Sequence, residues 1–344
     1  MNFKLEKAAI QKAVAKLKFR TQAFIDGKFT NTQSGKTFTT ENPATGKPLA
    51  QIAAGDASDV DRAVKAARRA FESGVWSQVR PGDRKKVLLK WADLLEANAS
   101  EIALLDTLEA GKPIGGCTTM DIPDAIHCIR WHAEATDKLY SHVSPTGPEN
   151  LALVLREPVG VVGCVIPWNF PAQMAAWKLG PALATGNSVV LKPAELTSLS
   201  AIRMAELAAE AGLPAGVLNV VPGLGETAGQ AIGRHRDVDM VAFTARRRWA
   251  GTSCSMRRSR ISSGSFLNAA ARVRRSCLRM RRTSTRWRRT RWAQRFGTWA
   301  RIAVAARGSS FTRKSRTRWW RKWRRWRRRG KSATRSTRPT DLVR

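Results

Sequence analysis

The chain has 344 residues and a formal net charge of +35, from 61 Lys and Arg against 26 Asp and Glu. Residues 1–244 carry 27 basic and 25 acidic side chains, whereas residues 245–344 carry 34 basic and one acidic, Asp341, with 8 of the 13 Trp. This excludes one uniform domain: the first part can bury a core, and the second, with 31 Arg and 3 Lys, is a like-charge block expected to stay disordered or non-native. Cys117, Cys128, Cys164, Cys254 and Cys277 form no CxxC pair, which fits a reduced, cytoplasmic compartment. No apolar run reaches the roughly 18 residues of a membrane span, and no metal-binding set stands out.

Lys4–Arg20 is basic and sets Ile10, Val14 and Leu17 on one helical face, so residues 1–20 are expected to form a surface helix rather than a targeting leader. Ala23–Thr30 is apolar around Asp26-Gly27, a hairpin signal, and Asn42–Gly46 is a second turn cluster. From Ser58 to Leu105 the pattern is helical, with Val60, Val64, Ala67 and Phe71, then Val87, Leu88, Trp91 and Leu95, at helical spacing. Asp121–Tyr140 predicts another helix.

From Leu151 the period changes. Leu151–Arg156 and Val159–Ile166 are short β-rich runs. Helices are then predicted over Pro171–Leu183, Ser198–Ala211 and Glu226–Ile232, alternating with strands over Ser188–Leu191, Val217–Val221 and Val238–Phe243. Such alternation implies an α/β fold, a parallel Rossmann-like sheet with flanking helices. Ligands of such sheets sit beyond the carboxyl ends of the strands. Three strand ends carry chemistry. Ile166-Pro167-Trp168-Asn169-Phe170-Pro171 brackets an Asn amide with prolines, and a fixed amide N–H suits a developing oxyanion. Leu191-Lys192-Pro193-Ala194-Glu195 sets a cation and an acid three residues apart. Gly223-Leu224-Gly225, running on to Gly229, is a Gly-rich turn without the G-x-G-x-x-G spacing. Taken singly, each is more often structural than functional.

Together these three strings resemble the aldehyde dehydrogenase superfamily. So do Glu157-Pro158-Val159-Gly160-Val161-Val162, Trp177-Lys178-Leu179-Gly180-Pro181-Ala182-Leu183, Gly186-Asn187-Ser188 and Gly212-Leu213-Pro214. The likeness runs unbroken over residues 20 to 244. It implies a cofactor domain over 21–244, with an oligomerisation hairpin near 151–166. It also implies oxidation of an aldehyde to a carboxylic acid: a Cys thiolate attacks, hydride passes to NAD, and a Glu base activates water. By the resemblance, Asn169 is the oxyanion donor and Lys178 a proton relay, while Ile166, Trp168, Lys192, Glu195 and Gly225 line NAD. A Glu at the ribose disfavours the 2′-phosphate of NADP. The front looks most similar to bacterial γ-glutamylaminobutyraldehyde and amino-aldehyde enzymes. The resemblance implies a homo-oligomer for the intact family, but without the family's later strands this chain is not expected to dimerise in the same way.

After Phe243-Thr244 the family pattern calls for Gly-Ser-Thr-x-x-Gly, Leu-Glu-x-Gly-Gly-Lys with the base, and Gly-Gln-x-Cys with the nucleophile. None occurs; Ala245-Arg246-Arg247-Arg248-Trp249-Ala250 follows instead. One base lost near codons 244 and 245 accounts for this. Trp249 ends in G and Ala250 begins GC, so the original codon reads GGC, Gly, the last Gly of the first motif. Leu267–Val273 permits Leu-Glu-Cys-Gly-Gly-Lys-Ser, and Trp299-Ala300 again forces Gly before a permitted Gln-Asn-Cys. The expectation is an out-of-frame tail, a missing nucleophile and base, and an inactive chain. The rival is a genuine Arg/Trp module, as in Trp319–Trp326, that binds nucleic acid or an anionic membrane nonspecifically.

Overall fold

In the computed structural model, which describes residues 7–244 and 265–267, the chain opens with α1 (Lys7–Val14), shorter than the helix expected over residues 1–20. Leu17 lies beyond it and packs with Phe19 against Ile52, Leu105 and Leu199. The hairpin β1 (Ala23–Ile25) and β2 (Lys28–Thr30) turns on Asp26 and Gly27, whose φ angles are 54° and 75°. That left-handed pair is what a two-residue turn between twisted strands demands. The second turn cluster joins β3 (Thr37–Asn42) to β4 (Lys47–Ala53).

The long helical stretch divides into α2 (Ala57–Glu72), α3 (Pro81–Ala97) and α4 (Ala99–Ala110). Asp56 caps α2 by accepting from Ser58 and Asp59 backbone N–H groups, and Gly111, at φ 69°, ends α4. A short α5 (Ile114–Gly116) leads through a wide turn at Cys117–Asp121 into α6 (Ile122–Ala135). Next come β5 (His142–Ser144) and β6 (Ala152–Val154), paired with each other. Residues 152–154 therefore form a hairpin with 142–144, and the run 159–166, expected in the same hairpin, enters the main sheet instead.

The remaining elements alternate: β7 (Val161–Val165), α7 (Pro171–Ala184), β8 (Ser188–Lys192), α8 (Leu199–Glu210), β9 (Leu218–Val220), then a wide turn at Gly225–Gly229 into α9 (Gln230–Arg234), and β10 (Met240–Phe243). A three-residue strand, β11 (Ser265–Leu267), runs parallel beside β10. The sheet order is β11-β10-β7-β8-β9-β1-β2, parallel from β11 to β9 and closed by the antiparallel β1–β2 hairpin. Residues 1–6, 245–264 and 268–344, with the expectations for the basic tail, Cys254 and Cys277, lie outside the described residues.

Alternate residues of the central strands feed two cores. Val162, Cys164, Val189 and Leu191 join α3, α4, α6, α7 and α8; Val161, Val165, Val190 and Val241 join α2 and Ile232 of α9. A sheet buried on both faces explains why β7 and β8 read as continuous apolar runs rather than alternating ones. The buried indoles of Trp76 and Trp91 donate to the carbonyls of Leu183 and Met204, at 2.9 and 3.0 Å. These bonds fix the end of α7 and the middle of α8 against the N-terminal helices, each indole contributing about 1.5–3 kcal/mol by burial alone.

Candidate cofactor site

The parallel strands β10, β7, β8 and β9 finish at one edge of the sheet, so the three strings singled out in the sequence emerge side by side. Their starting points are tied together. Ile166 N–H donates to the Lys192 carbonyl (3.2 Å), Val221 N–H to Leu191 (2.9 Å), and Thr244 N–H to Val165 (3.0 Å). Ile166 is buried at the root of its loop, whereas Trp168 (41% exposed) and Asn169 project from it. The Asn169 side chain makes no hydrogen bond among the described residues, which leaves its amide free to donate. Gly225 begins the turn after β9.

Lys192 is 2% exposed, and its ammonium donates to Glu195 Oε2 at 3.0 Å. Burial lowers the Lys192 pKa, with the Glu195 charge opposing. Burial pushes Glu195 up, but the Lys192 charge, its own backbone N–H and the Lys192 hydrogen bond together outweigh burial and hold it below its ordinary value. The pair is thus an ionised carboxylate, half open to water, backed by a buried cation. Such a carboxylate can accept from two vicinal hydroxyls, so the residues present fit a dinucleotide ribose.

Lys178 lies on α7, half-buried, its pKa lowered by that burial and raised again by the facing Cys164. No hydrogen bond or ion pair joins it to Asn169 or to the Lys192–Glu195 pair among the described residues. Burial pushes Cys164 up to about 12 and Cys128 up to about 11, and it raises Cys117 as well. All three are therefore held as thiols rather than thiolates at neutral pH, the less nucleophilic form.

Sequence reasoning missed the polar groups behind this edge. Asp106 and Glu109, one turn apart on α4, are both buried. Asp106 Oδ2 accepts from Ala172 N–H at 3.3 Å; Glu109 accepts from Ser198 N–H (3.2 Å), Leu199 N–H (2.8 Å) and the Thr40 hydroxyl (2.9 Å). Lys112 pairs with Asp121 and sits 3.5 Å over the Phe170 ring, a cation–π contact on the neighbour of Asn169. Asp124 Oδ2 accepts from Gln173 and Trp177 of α7, at 2.6 and 3.0 Å. The available signal was the apolar run Ile102–Leu105 leading into Asp106 and Glu109, two acids that continue its buried stretch.

A groove of about 490 Å³ opens elsewhere, lined by Asp26, Arg62, Lys65 and Arg69 among others. Because β1 is antiparallel to β9, the Asp26 turn lies at the amino end of the parallel strands, opposite the ligand edge. Three of its cations are engaged, Arg69 with Asp26 (3.0 Å), Lys65 with Asp61 (2.7 Å) and Arg62 with Asp59 (3.2 Å). It therefore has no part in this site.

The family model described as "Aldehyde dehydrogenase family" matches residues 29–252. The chain belongs to the aldehyde dehydrogenase family. It is 56% identical over 230 residues to an aminoacetaldehyde dehydrogenase of Pseudomonas aeruginosa, covering 67% of this chain and 46% of that protein. It is 55% identical over 228 residues to the NADP/NAD-dependent aldehyde dehydrogenase PuuC of Escherichia coli, covering 66% and 46%. Among solved structures, the aldehyde dehydrogenase KauB of Pseudomonas aeruginosa superposes with a TM-score of 0.76 at 47% identity, covering 77% of this chain and 54% of that one. The indole-3-acetaldehyde dehydrogenase AldA of P. syringae, in complex with NAD+ and IAA, gives 0.76 at 49%, covering 77% and 54%. The chain spans about half the length of the curated relatives it matches. Among the described residues, no helix is long and apolar enough to cross a membrane.

Proposed function

We propose that residues 21–244 are the cofactor-binding part of an NAD-dependent aldehyde dehydrogenase of the cytoplasm, and that the 344-residue chain itself does not turn over aldehydes. The observation that carries the proposal is the Lys192–Glu195 pair at a strand end beside the Asn169 loop. Ile166, Trp168 and Gly225 line the dinucleotide, Glu195 accepts from its ribose hydroxyls, and Lys192 keeps Glu195 ionised. The cofactor, when bound, accepts the hydride. Asn169 donates its amide N–H to the oxygen that becomes an oxyanion when a thiolate attacks the aldehyde carbon, and Lys178 relays a proton towards solvent. The substrate class is an amino-aldehyde, in line with the names of the P. aeruginosa and E. coli relatives. Glu195 favours NAD over NADP, as a preference rather than an exclusion, because Lys192 offsets part of its charge and the E. coli relative is by name NADP/NAD-dependent.

Inactivity follows from the three protonated thiols of the described region and from the absence, after Thr244, of both family motifs that would supply a nucleophile and a base. A single base restored near codons 244–245 is expected to yield aldehyde- and NAD-dependent turnover of aminoacetaldehyde. Turnover by the 344-residue chain would contradict the proposal. Homo-oligomerisation belongs to the same proposal: the β5–β6 hairpin leaves Tyr140, Val143, Leu151 and Leu153 half or more exposed, an apolar strip suited to a second copy. Independently, 34 basic residues against one acid in residues 245–344 favour salt-dependent, sequence-independent retention of the chain on nucleic acid.

A further inference from the structure

Both ligand loops run straight into helices that do not cap themselves. Phe170, before α7, and Ser198, before α8, make no side-chain cap bond to the first turns that follow them. A helix start leaves N–H groups without intrahelical partners, and in a buried setting these must be satisfied from elsewhere. Here the acceptors come from α4. Asp106 takes Ala172 N–H, two residues past the end of the Asn169 loop; Glu109 takes Ser198 and Leu199 N–H, three and four residues past Glu195. The two carboxyls are three residues apart on one helix, so they stand on one face at a fixed separation.

We propose that Asp106 and Glu109 are positioning residues for the cofactor site: from one rigid helix, each caps the start of one loop-bearing helix and so sets the Asn169 and Lys192–Glu195 loops in register with each other.

Three further observations support this. Lys112, just past the end of α4, holds Phe170 from the same side, so the Asn169 loop is gripped at two successive points. Glu109 also binds Thr40 of β3, which anchors its carboxylate from a third element. The charged groups around Asp106 are Asp121, Lys112 and Glu109; Lys112 pairs with Asp121 and leaves Asp106 to the α7 N-terminus. The Ser200 hydroxyl faces Asp106 without closing a hydrogen bond on it, and Asp106 Oδ1 has no partner among the described residues. Only one Asp106 oxygen is therefore committed, whereas both Glu109 oxygens accept, fully so once the carboxyl ionises above about 8. This difference sets distinct expectations for the isosteric amides. Asp106→Asn can keep its carbonyl on Ala172 and turn its amide towards Ser200. Glu109→Gln can serve Ser198 or Leu199 but not both.

The inference rests on the assignment of these loops to the cofactor, and the experiment separates the two. Amide exchange and resonance positions are measured by NMR in the 344-residue chain and in Asp106→Leu, Asp106→Asn, Glu109→Leu and Glu109→Gln, each with and without NAD. Leu88→Ala, a core change on α3, serves as the control for general destabilisation. Asp106→Leu is expected to speed exchange at Ala172 about tenfold or more and to shift the Asn169 side-chain amide. Glu109→Leu is expected to do the same at Ser198 and Leu199 and to shift Glu195. Asp106→Asn restores the parent pattern, and Glu109→Gln restores one amide of its two. Unchanged exchange in the Leu variants overturns the proposal. So does faster exchange with unmoved Asn169 and Glu195 signals, or a Leu88→Ala control that reproduces the same local pattern. If NAD moves no signal of the parent chain, the cofactor assignment fails, while the exchange data still decide the clamp.

Discussion

Replacing Glu195 with Leu strands the Lys192 ammonium, which is 2% exposed and makes its one ion pair among the described residues with Glu195 at 3.0 Å. Removing one partner of a buried pair typically costs about 3–5 kcal/mol. The lysine has one escape, to fold in its neutral form, and this sets a ceiling. From its ordinary 10.5, deprotonation at pH 7 costs ~1.4 kcal/mol for each of the roughly 3.5 pH units between, or ~5 kcal/mol. The same arithmetic gives a signature. In Glu195→Leu the folded lysine binds fewer protons than the unfolded one, so stability rises with pH between 7 and 10.5. The deficit should therefore shrink to about 1 kcal/mol near pH 10. Because a matched apolar replacement removes the buried charge altogether, Lys192→Met/Glu195→Leu should recover most of the loss at pH 7. Urea denaturation of the three proteins, parent, single and double variant, at pH 7 and pH 10 measures all of this. A Glu195→Leu protein as stable as the double variant at pH 7, or a deficit that does not change with pH, would refute the reasoning.

Gly160 has φ 127°, and a Cβ there would lie 2.0 Å from Asp239 Oδ2, the oxygen that accepts from Val161 N–H and pairs with Arg68. Gly160→Ala should cost about 3 kcal/mol of strain and lost charged hydrogen bonding, read as a lower urea midpoint; an unchanged midpoint would show that the loop before β7 yields freely. Burial raises Asp106 to about 7 and Glu109 to about 8 from ordinary values of 3.8 and 4.5. The folded chain then binds more protons than the unfolded one, so the stability these groups contribute is complete below pH 4 and is lost as pH rises through 7 and 8. The midpoint should fall between pH 6 and pH 9, and Asp106→Asn/Glu109→Gln should flatten that fall; an equal fall in the double variant would assign it to other groups. Leu153→Lys on the exposed hairpin should reduce any self-association seen by sedimentation at least tenfold without moving the melting temperature, and unaltered association would place the interface elsewhere.

The alternation of strands and helices from Val161 to Phe243 was legible because β7, β8 and β9 are buried on both faces and α7 and α8 end at glycine-bearing turns. The Lys192–Glu195 pair could be read as chemistry only through the resemblance of the surrounding strings to the family, because an acid and a base three residues apart at a strand end are more often a solvated pair. Other features were not local. Nothing in Ala23–Thr30 says that this hairpin closes the parallel sheet beyond β9; that follows from Phe24 meeting Val220 across about two hundred residues of chain. The partner of Leu153 is Val143, not the adjacent run 159–166, because 161–165 is claimed by two parallel neighbours. Asp106 and Glu109 fell just past the helical pattern read from Ser58 to Leu105, and their role appears only when the starts of α7 and α8 are brought against α4, which runs on to Ala110. Capping in trans leaves no signature at the capped end: Phe170 and Ser198 give no sign of where their helices find acceptors.

The central claim is that the fold carries a cofactor edge whose nucleophile and base were lost when the frame changed near Thr244. The most direct test is aldehyde-dependent NADH formation, measured side by side for the 344-residue protein and for the product of the same gene with one base restored across codons 243–250. The account predicts no NADH from the first and steady turnover from the second. Turnover by the 344-residue protein, or none from a folded, frame-restored protein that binds NAD, would contradict it.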